Sequence, residues 1–109
     1  LAAFARGRAA PFIALAGSLG CGPHQREDAR IAAERWALVD LAEHVSEPGL
    51  REEARALAKG MPPGGRLPAT LRPLAVLDGL ARRALARGGP MLGDRFSPLA
   101  AIRLGILGR

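Results

Sequence analysis

The densest run of chemically capable side chains is Trp36-Ala37-Leu38-Val39-Asp40-Leu41-Ala42-Glu43-His44-Val45-Ser46-Glu47. At helical periodicity Trp36, Asp40, Glu43 and His44 share one side, away from the apolar positions Ile31, Leu38, Leu41, Ala42 and Val45. An indole among acids suits a face that looks into a cleft or onto a neighbouring helix, so these four are the candidate substrate-contacting residues. Asp40 and His44 stand one helical turn apart, where a carboxylate and an imidazole can meet one metal ion. Two ligands do not complete a site, since zinc takes about three or four protein ligands, and the other histidine, His24, falls in a loop. The competing reading of the same face is a solvated or inter-helix polar surface.

Other candidates for chemistry are sparser. Gly17-Ser18-Leu19-Gly20 lacks the flanking pattern of a nucleophile elbow, and no Ser, His and Asp set is recognisable by order. Cys21 is the single cysteine, which rules out an internal disulfide and a cysteine-based metal cluster and fits a reducing, cytoplasmic setting. Arg82, Arg83, Arg87, Arg95 and Arg103 form a basic set with Phe96 as its aromatic, but no nucleic-acid-binding motif accompanies them, so no nucleic-acid partner is expected.

These residues need helices to position them. Ala, Leu and Arg dominate the 109 residues, Tyr is absent and β-branched residues are few, which is a helix-forming composition. The expected fold is all-α, a bundle of about five helices separated by Gly/Pro punctuation. The first spans about Phe4 to Leu19 with a kink or break near Pro11, and the second about Arg26 to Val45. The third runs from about Leu50 to Lys59, with Leu50, Ala54, Leu57 and Ala58 facing inward. Residues 60–66 form an exposed loop. The fourth spans about Ala69 to Arg87, burying Leu74, Leu77, Ala81 and Leu85, with Asp78 and Arg82 paired on its solvent face. Pro73 is tolerable only near its start. Ser97-Pro98 opens the fifth, with Leu99, Ile102 and Ile106 along one side.

The length suits one modest domain, or the C-terminal part of a larger all-α domain, and Leu1 in place of an initiator Met suggests a fragment of a longer protein. No apolar run approaches the ~20 residues that span a bilayer. The net charge of +6 is uneven: residues 1–65 hold eight basic and eight acidic side chains, whereas residues 66–109 hold eight Arg against Asp78 and Asp94. An anionic partner or peripheral contact with a membrane surface would be sought in that second part.

The order of elements resembles the squalene/phytoene synthase family, all-α head-to-head prenyltransferases. Pro11-Phe-Ile-Ala-Leu-Ala-Gly-Ser-Leu-Gly20 is similar to the family's small-residue helix ending in Leu-Gly, and Ala37-Leu38 to Pro48 falls where it carries Asn-Ile-x-Arg-Asp-x-x-Glu-Asp. Asp40 stands at the Asn, Leu41 at the Ile, Glu43 at the Arg and His44 at the first Asp; Glu47 matches the Glu, and Pro48 replaces the second Asp. Arg66-Leu-Pro-Ala-Thr-Leu-Arg-Pro-Leu-Ala-Val-Leu77 looks like a later helix start of some bacterial members.

The resemblance implies an isoprenoid-synthase-like fold with a crippled metal site, because Pro offers no ligand and His is a poor one for a hard cation. Glu47 is the one metal-ligand candidate it carries over. It implies a protein that binds an isoprenoid or a partner protein without full catalysis. Alternatives are the C-terminal part of an active synthase acting on prenyl diphosphates, and a basic helical domain at a membrane surface. No cofactor is expected outside the synthase reading, in which Mg²⁺ would serve.

Overall fold

A computed structural model describes residues 1–88, Pro90 and Met91. Among them the chain is all-α: α1 (Ala2–Ser18), α2 (Pro23–His44), α3 (Pro48–Gly60), a 3₁₀ turn (Ala69–Leu71) and α4 (Arg72–Arg87). The expected fifth helix, from Ser97, lies outside the described residues.

The boundaries follow from local chemistry. Pro23 and Pro48 sit in the first turns of α2 and α3, where a missing N–H leaves no bond unmade. Gln25 Oε1 accepts the N–H of Gly22 at 3.2 Å, closing the start of α2. Pro48 holds the preceding Glu47 extended (φ −78°, ψ 119°), which separates α2 from α3. Pro73 likewise falls in the first turn of α4, as its position requires. At the other end Gly88 adopts φ +74° and returns its N–H to the carbonyl of Ala84 at 2.8 Å, a left-handed cap that favours glycine.

α2 is the axis of the bundle. α1 and α3 pack antiparallel to it, and α4 packs on a further side. Its middle is therefore buried on more than one face, through Ile31, Ala32, Ala33, Ala37, Leu38 and Val39, rather than along the single stripe read from periodicity. Alanines at the contacts let the backbones approach closely; Ala5, Ala9 and Ala16 are the buried residues of α1. That close packing carries α1 through Pro11, which faces solvent, with no break in the helix. Large side chains are scarce inside: Leu71, Leu74 and Val39 are the biggest that are fully buried.

Two assignments change, one inward and one outward. Leu57 is 43% exposed, because α3 meets its neighbours through Ala54 and Ala58 and leaves Leu57 on its flank. Asp78 does not lie on the solvent face; it is 6% exposed and packed between α4 and α2.

Candidate functional site

The face chosen from sequence divides in the structure. Trp36 and Asp40 look toward α1, where Phe12 meets the indole edge-on at 6.0 Å between ring centroids. The Arg8 guanidinium lies 4.8 Å above the Trp36 ring and 5.6 Å above Phe4. It also pairs with Asp40, Nη2 to Oδ2 at 3.3 Å. Sequence reasoning missed Arg8, although an Arg one helical turn after Phe4 and one before Phe12 was the available signal.

His44 stands outside this contact, with its side chain 72% exposed. Its Nδ1 donates to the Asp40 carbonyl at 2.7 Å and lies 3.5 Å from the Asp40 carboxylate. Both hold its pKa above the ordinary value, the carbonyl bond first and the carboxylate charge second. Glu43 turns away to the other flank and accepts the backbone N–H of Met91 at 2.6 Å. Glu47 is exposed and folds over the first turn of α3; a Cβ built on Gly49 would come within 2.8 Å of its Oε1.

The expectation of one cleft lined by Trp36, Asp40, Glu43 and His44 is therefore corrected. Trp36 and Asp40 share an inter-helix contact, His44 lies at its solvent edge and Glu43 serves a different contact. The reason is that α2 has neighbours on more than one side, so residues a turn apart meet different helices. Asp40, Glu43 and Glu47 do not converge on a point, as oxygen ligands of Mg²⁺ at ~2.1 Å would have to. Among the described residues no group of three His, Cys, Asp or Glu side chains could hold a metal ion.

Of the most highly connected polar cluster, only the Asp78–Arg82 pair was anticipated. Arg35, 4% exposed, makes a two-pronged bond to Asp78, Nε to Oδ1 at 2.7 Å and Nη2 to Oδ2 at 3.0 Å. Its Nη1 and Nη2 donate to the carbonyls of Pro62 and Pro63 at 2.8 and 3.1 Å. Arg82 joins from α4, Nε to Asp78 Oδ2 at 3.0 Å, with Nη2 on the Pro63 carbonyl. The loop after α3 is thus stapled to α2 and α4. Asp28 adds a further clasp, accepting the N–H of Gly65 at 2.7 Å. The signal was present: Arg35 falls between Ile31 and Leu38, and Asp78 between Leu74 and Ala81, at spacings that put both on apolar stripes.

An apolar groove of about 570 Å³ opens where α1, α2 and α3 meet. Ala5, Leu38, Ala56, Leu57 and Met61 form its walls, while Arg30, Glu34 and Glu53 stand at its polar margin. Arg30 is bonded to Glu27 and Glu34, each at 2.8 Å or less, so part of that margin is fixed.

No family model, curated protein or solved structure matches this chain. Among the described residues, no helix is long and apolar enough to cross a membrane.

Proposed function

We propose that this chain is a squalene/phytoene synthase-like helical protein with a degenerate metal-binding motif, which binds an isoprenoid or a partner protein without full catalysis. The observation that carries the reading is the apolar groove between α1, α2 and α3. Its volume of about 570 Å³ lies within the range of small-molecule clefts, and its exposed Leu57 is an apolar surface without a covering side chain. The acids at the motif positions support the non-catalytic part: Asp40 is paired with Arg8, Glu43 with the Met91 N–H, and neither is directed at a shared point.

Titration with a fluorescent farnesol analogue tests the binding half. Saturable binding is expected, weakened about tenfold or more by Leu57→Arg, since the charge would have to be desolvated against the ligand chain. Leu57 is exposed, so the helical circular dichroism should be unchanged. No saturable binding, or equal binding by the variant, would overturn the assignment of an isoprenoid to the groove.

A further inference from the structure

We propose that the cavity between the C-terminal parts of α3 and α4 is an anion site that holds a phosphate-type group without a metal. It is an open depression of about 450 Å³, and Arg35, Lys59 and Arg82 all line it. Ala58, Met61 and Leu85 supply an apolar floor.

Charge balance singles this place out. The apolar groove sets Glu34 and Glu53 beside Arg30, whereas no acid is among the residues that line this depression. Here three cations surround one carboxylate. Both oxygens of Asp78 are engaged by the two guanidiniums, and its side chain is only 8% exposed. The Pro62 and Pro63 carbonyls fix Arg35 and Arg82 in place but bring no net charge. Lys59 is exposed and has no ion-pair partner among the described residues. A cationic depression draws an anion from solution, and a planar guanidinium already held in position, as that of Arg82 is, loses little freedom on binding it. The floor adds a preference for a phosphate monoester with a short apolar group. Such a group is available free in solution or as a lipid headgroup.

The test is a two-dimensional NMR titration of the whole chain with inorganic phosphate and then hexyl phosphate, at fixed ionic strength. Saturable shifts are expected at the amides of Lys59, Met61 and Arg82, with hexyl phosphate binding about threefold or more tighter because its chain covers the floor. Lys59→Ala should weaken both about three- to tenfold through loss of one charge-assisted contact, and Lys59→Arg should restore binding. The exposed Lys59 leaves the fold intact in either variant, which an unchanged thermal transition confirms. Unsaturated shifts spread over many arginines, or equal affinity in Lys59→Ala, would overturn the site. In a parallel arm with phosphatidic acid vesicles, Lys59-dependent binding alongside the hexyl phosphate response would extend the site to headgroups; vesicle binding with no response to hexyl phosphate would overturn it.

Discussion

Arg35 and Asp40 are charged residues little more than a turn apart on α2, yet their surroundings give them different weight. Arg35 is buried and each nitrogen of its guanidinium donates, to Asp78 or to a proline carbonyl. Asp40 is half-buried, and its link to Arg8 is a single 3.3 Å contact with an exposed partner. Removing a partner from the first pair strands a charge where water cannot reach it. Removing one from the second lets solvent take its place. Geometry is therefore specified on the α4 side, while the α1 side, which looked like the site, is a contact of modest energy.

The comparison breaks most readily at Asp78. Asp78→Ala leaves Arg35 buried and unpaired and frees the Pro62–Pro63 loop, and should destabilise the chain by about 3–5 kcal/mol, a large share of the stability of a domain this size. Urea unfolding followed by circular dichroism measures it. Replacing both partners, Arg35→Leu with Asp78→Leu, should be less destabilising than Asp78→Ala alone; an equal or greater loss would mean that the pair does not act as a unit.

Next in size is Gly65→Ala. A Cβ there would lie 2.5 Å from Asp28 Oδ2, the end of a flexible side chain, so the clasp on the loop must shift, at a cost of about 1 kcal/mol for the bond from the Gly65 N–H. A loss below about 0.5 kcal/mol by the same measurement would show that the Asp28 clasp contributes little to holding the loop. On the α1 side, Arg8→Ala removes an exposed ion pair and the stacking on Trp36 together, and about 1 kcal/mol is expected. A loss comparable to that of Asp78→Ala would erase the contrast between the two regions.

How far all this was legible depends on what each residue's neighbours are. The breaks between helices could be read because Pro23, Pro48, Pro73 and Gly88 act on their own backbone, but α2 and α3 begin at Pro23 and Pro48 themselves and not at Arg26 and Leu50, since proline suits a first helical turn. Leu57 was misplaced because periodicity gives the apolar side of α3 but not the width of its contact, which two alanines suffice to fill. Arg35 and Asp78 each break an apolar stripe, and only their pairing across 43 positions of sequence explains both. The Trp36 face was rightly set against a neighbouring helix, but its four residues were grouped as though α2 had one neighbour there. The amphipathic segment at Leu99, Ile102 and Ile106 lies beyond the described residues.

The smallest effect concerns pH. The folded-state pKa of His44 is raised above its ordinary 6.5, so whatever stability it contributes is fully present below the unfolded value and is lost as pH rises through the folded one. An NMR titration of its ring protons should give a midpoint above 6.5. Asp40→Asn should lower that midpoint only in part, because the carbonyl bond is the larger cause and survives the substitution. A midpoint at the unfolded value in the wild-type chain would mean that His44 does not hold the carbonyl contact at the end of α2.

Calorimetry with farnesyl diphosphate, with and without Mg²⁺, bears most directly on the reading that the motif positions have been given over to structure. Any heat should be the same in both conditions and unaffected by Glu47→Ala, because Asp40 faces Arg8, Glu43 accepts the Met91 N–H, and no group of three acidic, His or Cys side chains is placed to hold a metal among the described residues. Magnesium-dependent binding at micromolar concentration, lost on Glu47→Ala, would contradict it.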